Sequence, residues 1–375
     1  MTLIDGRRDH ETRPDPGGHL DAIKYWLVLV AFTAGAFIAW RSHAILPPKL
    51  FLDEFIIRRF ISGELQSDGP SSYGTTGWLY RVTGLGSIPD LFPLLAFLVF
   101  AGAIVVGVGW RNIAGMSFPA IGLTAGSLLL GGVYLSQYSK EFFVLPLAIL
   151  LLLARRSWKL EVAWLALALL YATHVRQYWF LVIAIYLALR FVIPALRSAW
   201  WLVPIVLVGF LVMVIVFEVF LGTSLTFFRT DINNALEYDR STQIDDVLPG
   251  DAIPVQWLNG VLVMLWMAFP VWMIFSGDLV QLLAGVFMAV CWVLVIDRAR
   301  FVVGRAGPGV LPLAFLIAFL MVQTAFEPDY GSYLRHITPQ LPIFLALFAA
   351  TARRGRDEHR PVATSPAPAG QGVLR

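Results

Sequence analysis

Arg335 and His336 stand side by side at the end of the stretch Glu327-Pro328-Asp329-Tyr330-Gly331-Ser332-Tyr333-Leu334-Arg335-His336. A guanidinium keeps its charge at any physiological pH and presents a planar fork of donors that fits phosphate oxygens. An imidazole beside it can exchange a proton near neutrality. Short polar patches of the same kind recur as Asp53-Glu54 with Arg58, Ser139-Lys140-Glu141 and His174-Val175-Arg176, each only a few residues from long apolar runs. Ionisable groups at the mouth of a hydrocarbon bundle are costly unless paired or working.

Each patch has an ordinary reading and a chemical one. Asp53 and Glu54 lie about one helical turn before Arg58, so a short amphipathic helix would pair acid and base across its surface. The chemical alternative is a carboxylate that accepts a sugar hydroxyl proton or holds a divalent metal. Downstream, residues 71–78 read as a polar, Gly-containing loop with aromatics. Glu141 is favourable in the first turn of a helix without any function, whereas Lys140 beside it has no such excuse. His174 and Arg176 occupy a very short connection, where the alternative to ligand binding is snorkelling to lipid headgroups. The mixed charges of residues 222–256 read as a solvated loop, except that Arg229 and Arg240 are spaced to share one helix face. Tyr330 completes the candidate binding residues around Arg335, and Pro339 and Pro342 stiffen the entry to the last apolar run.

What must position these side chains is a membrane bundle. The 375 residues are 58% hydrophobic and only 14% charged, with a mean hydropathy of +0.72. A soluble domain carries about a quarter charged residues. Apolar runs at roughly 23–40, 91–109, 114–136, 142–154, 160–173, 178–196, 200–221, 257–275, 278–296, 309–326 and 338–352 approach or reach the length that crosses a hydrocarbon core. The fold class is all-α, a polytopic helical membrane protein. Residues 1–21 and 353–375 read as disordered tails around a single domain at 22–352.

The Lys/Arg bias places the amino tail, Arg111, Arg155-Arg156, Arg190, Arg197, residues 297–305 and Arg353-Arg354 on the cytoplasmic side. Strict alternation through every run would then put the basic carboxyl tail outside. The segment 256–275, with Asn259, Gly260 and Pro270 inside a Trp-rich run, therefore reads as a re-entrant or interfacial helix. About ten spans remain, with both termini cytoplasmic and outer loops at 41–90, 137–141, 174–177, 222–256 and 327–337. All the charge patches fall on those loops.

Several classes drop out. There is no GxxxxGK[ST] loop, no GxGxxG in a strand–turn–helix context, no HExxH and no Cys/His cluster. The one cysteine, Cys291, sits in an apolar run and reads as an inert buried thiol. Nothing points to nucleic acid. With the patches facing outward, an activated lipid in the bilayer is the donor that fits. A transporter or flippase of a charged or lipid-linked saccharide is the competing reading, although the runs are nearly free of charge at their centres. A non-catalytic subunit of an export complex is a further alternative.

The pattern resembles the Wzy-type bacterial polysaccharide polymerases (exopolysaccharide and O-antigen), within the GT-C-like lipid-dependent membrane glycosyltransferases. The likeness rests on Asp53-Glu54, Ser139-Lys140-Glu141, Arg176-Gln177-Tyr178, Ala268-Phe269-Pro270-Val271-Trp272 and Gly331-Ser332-Tyr333-Leu334-Arg335-His336, in that order. It implies a GT-C-like fold in the bacterial inner membrane. It also implies transfer of a saccharide from a polyprenyl-pyrophosphate carrier to a growing glycan on the outer face. By resemblance, Arg176, Arg335 and one of Arg229 or Arg240 hold the pyrophosphate, with Arg58, Lys140, His174 and Tyr330 in the binding set. Asp53, Glu54, Glu141 or His336 is then the base on the acceptor hydroxyl. The expected partners are the lipid-linked saccharide, membrane lipids and other assembly or export proteins. No cofactor is required by this reading, and a divalent metal is compatible with it.

Overall fold

A computed structural model describes residues 16–66, 71–234 and 242–358. Among them every regular element is helical, and the only extended pairing is an isolated bridge between Gln243 and Asp329. The amino half comprises α1 (Pro16–Trp40), α2 (Ser42–Ile45), α3 (Leu52–Ser62), α4 (Ser72–Val82), α5 (Phe92–Val108), α6 (Phe118–Tyr134), α7 (Val144–Ala154), α8 (Trp158–His174) and α9 (Trp179–Ala195). The carboxyl half comprises α10 (Leu202–Val216), α11 (Phe227–Asn234), α12 (Ile253–Ala268), α13 (Val271–Ile274), α14 (Leu279–Val302), α15 (Val310–Phe326), α16 (Tyr330–Ile337) and α17 (Leu341–Glu358).

By length and composition, four helices among the described residues are long and apolar enough to cross a membrane: His19–Trp40, Ala199–Leu221, Ile253–Ile274 and Leu279–Val302. Shorter apolar helices are Phe92–Val108, Phe118–Tyr134, Trp179–Ala195 and Val310–Phe326. α1 begins at Pro16 and α17 continues to Glu358, so helix reaches into both stretches that read as tails from the sequence. Residues 1–15 and 359–375 lie outside the described part of the chain.

Packing follows from where side chains are absent or apolar all round. Residues 310–325 of α15, apart from the half-buried Ile317, are buried on every face, as expected of a helix at the centre of a bundle. α1 and α6 approach so closely at Gly35 and Gly132 that a Cβ on Gly132 would lie 2.5 Å from the Gly35 carbonyl oxygen. Such small-residue contacts let helix backbones meet without a hydrophobic driving force between them. Gly77 does the same for α3 and α4, where an added Cβ would lie 2.5 Å from Phe60 Cβ. Residues 72–78 are therefore not the loop that their Ser, Thr and Gly content suggests. Ser71 caps α4 by accepting from the Gly74 N–H at 3.2 Å, and the following small residues pack the helix onto α3.

The connections read as outer loops gather at one end of the bundle. Asp53 meets Arg335, Arg176 meets Glu141 and His336, and the Ile244 N–H bonds the Pro328 carbonyl at 2.8 Å. The opposite end is marked by Arg155, whose guanidinium reaches the carbonyls of Gly107 and Ala346 at 3.3 and 3.4 Å. Lys24 holds the Ala114 carbonyl there at 2.5 Å. Thus α1 arrives at the polar end by its carboxyl end and α17 leaves it by its amino end.

The segment expected to be re-entrant is more continuous than its Asn259, Gly260 and Pro270 suggest. It forms α12 and α13 with a break only at Phe269-Pro270, because Pro270 has no N–H to extend the ladder. Both of its ends meet the same loop. At the start, the Leu248 N–H donates to Asn259 Oδ1 and Asn259 donates back to the Leu248 carbonyl, both at 2.8 Å. At the far end, Trp266, Trp272, Met273 and Ser276 share a cleft with residues 243–247.

Candidate functional site

Three short segments and one short helix bring the site together. Residues 139–141 are pinned by two buried tyrosines: Tyr80 Oη donates to the Ser139 carbonyl at 2.8 Å, and Tyr171 Oη to the Lys140 carbonyl at 3.4 Å. α16 is started by Asp329, whose carboxylate accepts from the Ser332 N–H at 2.9 Å. It is held against α14 by Trp292 Nε1, which donates to Tyr333 Oη at 3.1 Å. One face of α16 buries Tyr330, Tyr333, Leu334, His336 and Ile337, and Arg335 is left at the rim.

His336 lies at the centre of a buried ionic chain. Its Nδ1–H faces Glu327 Oε1, and its Nε2 lies 2.9 Å from Glu141 Oε1. Arg176 Nη2 reaches the same Glu141 oxygen at 2.7 Å and His336 Nε2 at 2.7 Å. Glu141 and Glu327 are only 2% and 1% exposed. Burial alone would raise the Glu141 pKa, but the His336 hydrogen bond and the Arg176 charge hold it well below the usual carboxylate range. Burial would lower the His336 pKa, yet Glu327 and Glu141 together raise it above the ordinary imidazole value. As a neutral ring, Nε2 would accept from Arg176. Protonated, it donates to Glu141, and the two cations share one acceptor.

A second pair lies at the rim. Arg335 Nη1 donates to Asp53 Oδ2 at 2.5 Å, and Tyr73 Oη donates to Asp53 Oδ1 at 2.8 Å. Lys140 Nζ stands 3.4 Å from the centre of the Tyr73 ring, a cation–π contact at close range. Burial and then the neighbouring Arg176 charge bring the Lys140 pKa down to about 8. Burial and Asp53 push the Tyr73 phenol up. Lys140, Arg176 and Arg335 thus converge on one volume, with the half-buried carboxylate of Asp53 at its edge.

Asp53, Lys140, Glu141, Arg176, Arg335 and His336 therefore come together as the sequence suggests. The rest do not. Glu54 points away, with His43 Nε2 at 3.1 Å and Arg58 at 2.6 Å, so it is a buried partner for those two side chains. Because Asp53 and Glu54 are engaged separately, they are not a paired dyad for a metal. Among the described residues no group of three or more His, Cys, Asp or Glu side chains could hold a metal ion. Arg58 stacks 5.3 Å from the Tyr138 ring centre and serves Glu54. His174 is exposed at the end of α8 and outside the network. Arg229 is 1% exposed and spends its donors on the Thr324 carbonyl and Asp246, which removes it from the pyrophosphate set. Its proposed partner Arg240 lies outside the described residues. Tyr330 is buried, and its Oη donates to the Trp266 carbonyl at 3.2 Å.

No protein-family model, curated protein or solved structure matches this chain. The chemistry of the site must therefore carry the functional argument.

Sequence reasoning missed Glu327 and Tyr73. Glu327 sits in the same patch as His336 and at the end of an apolar run, a signal equal to those that singled out Glu141. Tyr73 lies in the polar, aromatic stretch 71–78, but nothing in the sequence ties it to Asp53, 20 residues away. Some buried polar atoms around the network have no protein partner: Glu141 Oε2, Glu327 Oε2 and both ends of the Gln340 amide. Between Glu141, His336 and Gln340 lies a cavity of about 10 Å³, at the lower limit for a single water.

Proposed function

We propose that the chain is a membrane glycosyltransferase of the polysaccharide-polymerase kind, moving a saccharide from a polyprenyl-pyrophosphate carrier to a growing glycan on the non-cytoplasmic face. About ten spans and a GT-C-like arrangement in a bacterial inner membrane belong to the same reading. The observation that carries it is the convergence of Lys140, Arg176 and Arg335, from three distant connections, beside the carboxylate of Asp53.

In this reaction the bond from the sugar's anomeric carbon to the pyrophosphate oxygen breaks, and the acceptor hydroxyl oxygen takes its place. Charge builds on the departing phosphate oxygens, and preorganised cations in a dry site stabilise it. Arg335 and Lys140 are placed to meet those oxygens, and Arg176 supports them from inside. The acceptor proton needs a base. His336 is a poor choice, since both of its ring nitrogens already face carboxylates, and Glu141 is held between Arg176 and His336. Asp53 remains: its side chain is 21% exposed. When pyrophosphate draws Arg335 away, Asp53 gains a free oxygen to accept the proton.

The test is binding and turnover by protein in nanodiscs. Polyprenyl pyrophosphate is expected to bind more tightly than the monophosphate, and Arg335→Gln to weaken it at least about tenfold, with Asp53→Asn abolishing release of the carrier from a loaded donor. Equal binding of both lipids, unaffected by Arg335→Gln in a protein that melts normally, would end this reading.

One observation favours a second reading. The Glu141–His336–Glu327 chain is almost sealed from solvent, the form a proton relay takes in transporters. A flippase for a lipid-linked saccharide would then move its cargo in response to a proton gradient, with no glycosidic bond broken.

A further inference from the structure

Beside the ionic network lies a larger cleft of about 610 Å³, lined among others by Gln243, Asp245, Trp266, Trp272, Gln281 and Tyr330. The geometry points to a glycan-binding subsite here, for neutral or amine-bearing sugars, that receives the acceptor chain. The acceptor role rests on the transferase reading, but binding of the glycan does not.

The lining chemistry chooses the ligand. Trp272 is 65% exposed, and its ring stands perpendicular to that of Trp266, with centres 6.4 Å apart and an interplanar angle of 89°. An aromatic face takes the C–H side of a pyranose. The amides of Gln243 and Gln281, the Ser276 hydroxyl and the Asp245 carboxylate provide the donors and acceptors that sugar hydroxyls require. Among the described residues no Lys, Arg or His lines the cleft, and the charged groups that do are Asp245 and Asp246. A phosphate or uronate would therefore be repelled. A neutral sugar would not, and an amino sugar would be drawn in.

The walls are rigid. Asp245 Oδ1 accepts from Gln243 Nε2 at 2.8 Å and from Asn233 at 3.4 Å, and Asp246 is fixed by Arg229 and by Thr226 at 2.9 Å. This explains why Arg229 is buried away from the pyrophosphate volume: it anchors the acidic wall. The Ile244 N–H bonded to the Pro328 carbonyl and the Tyr330 N–H bonded to the Thr242 carbonyl at 2.9 Å tie that wall to the start of α16. Tyr330 and Arg335 are about one and a half turns apart on α16, which sets the cleft and the cations at neighbouring positions on one helix. A cation-rich volume and an acidic, Trp-lined cleft on the same helix divide the work between a charged leaving group and an uncharged chain.

The experiment is direct binding of the purified full chain in nanodiscs to a printed array of neutral, amino and acidic bacterial glycans. Neutral or amino glycans are expected to bind. Trp272→Ala should weaken the best binder about tenfold or more, and Asp245→Asn should weaken amino glycans most. Trp272→Phe keeps a ring and should retain most binding, which separates loss of stacking from loss of fold; each variant's melting temperature is recorded alongside. No binding anywhere on the array, binding to acidic glycans alone, or binding indifferent to Trp272→Ala and Asp245→Asn would overturn the inference. If glycans bind here but no carrier is released from a loaded donor, the transferase reading fails while the subsite stands. If the carrier is released but no glycan binds, the subsite falls alone.

Discussion

Replacing Lys140 by Met removes a buried ammonium that the fold holds at a cost. The side chain is 5% exposed, and burial with the Arg176 charge lowers its pKa from 10.5 to about 8. At about 1.4 kcal/mol per pKa unit, that difference corresponds to about 3 kcal/mol between native and unfolded chains. The sign follows from proton counting. Below pH 8 both states carry the proton and the cost is constant. Between about 8 and 10.5 the native state has released it and the unfolded state has not, so stability rises with pH across that window. Relative to Lys140→Met, the wild type should therefore gain about 3 kcal/mol, or roughly a hundredfold in the unfolding equilibrium, as pH climbs from 8 to 10.5. Equilibrium unfolding in mixed micelles at pH 7, 8, 9, 10 and 11 reads this, and the difference between the two proteins cancels every other titration. A difference that stays flat over the series would refute the account of Lys140 as a desolvated cation. The functional counterpart is that pyrophosphate binding weakens above pH 8 in wild type and stays level in Lys140→Arg.

Other perturbations test the remaining parts. Glu141→Gln leaves Arg176 and His336 facing each other without their shared anion, at an expected cost of about 3–5 kcal/mol; a cycle with Arg176→Gln should show strong coupling, and simple additivity would mean that the pair is not formed. His336 has its pKa raised above 6.5 by its two carboxylates, so the stability it contributes is full below that pH and lost as pH rises through the raised value. His336→Gln should flatten that fall in thermal melts, and an unchanged slope would assign it elsewhere. Gly132→Val forces a side chain against the Gly35 carbonyl and should cost about 1–3 kcal/mol, whereas Gly122→Val, which meets nothing within 4 Å, should be close to neutral.

Arg176, Lys140 and Arg335 were legible as one set because a charged residue beside an apolar run is rare enough to mark a place, whatever surrounds it. Their partners were legible only when adjacent in sequence. Spacing lets Arg58 pair with either Asp53 or Glu54, because helix geometry fixes only which acid a base can reach, not which it prefers. Arg335, 282 residues from Asp53, took that carboxylate. Arg229 misled for a related reason: its charge marks a buried anchor as well as it would mark a ligand contact. The helix at 72–82 was hidden because Ser, Thr and Gly favour turns locally, and only the close packing against Phe60 makes Gly77 useful there. The helical class followed from composition alone, since an uninterrupted apolar segment in lipid must satisfy its own backbone.

α1 reaches the polar end with Trp40, while Lys24 near its start holds the Ala114 carbonyl at the far end, and α17 follows α16 away from the polar end past Ala346, which meets Arg155. The expected outcome is that reporters fused before α1 and after α17 read the same compartment, and opposite readings would overturn that path of the two helices.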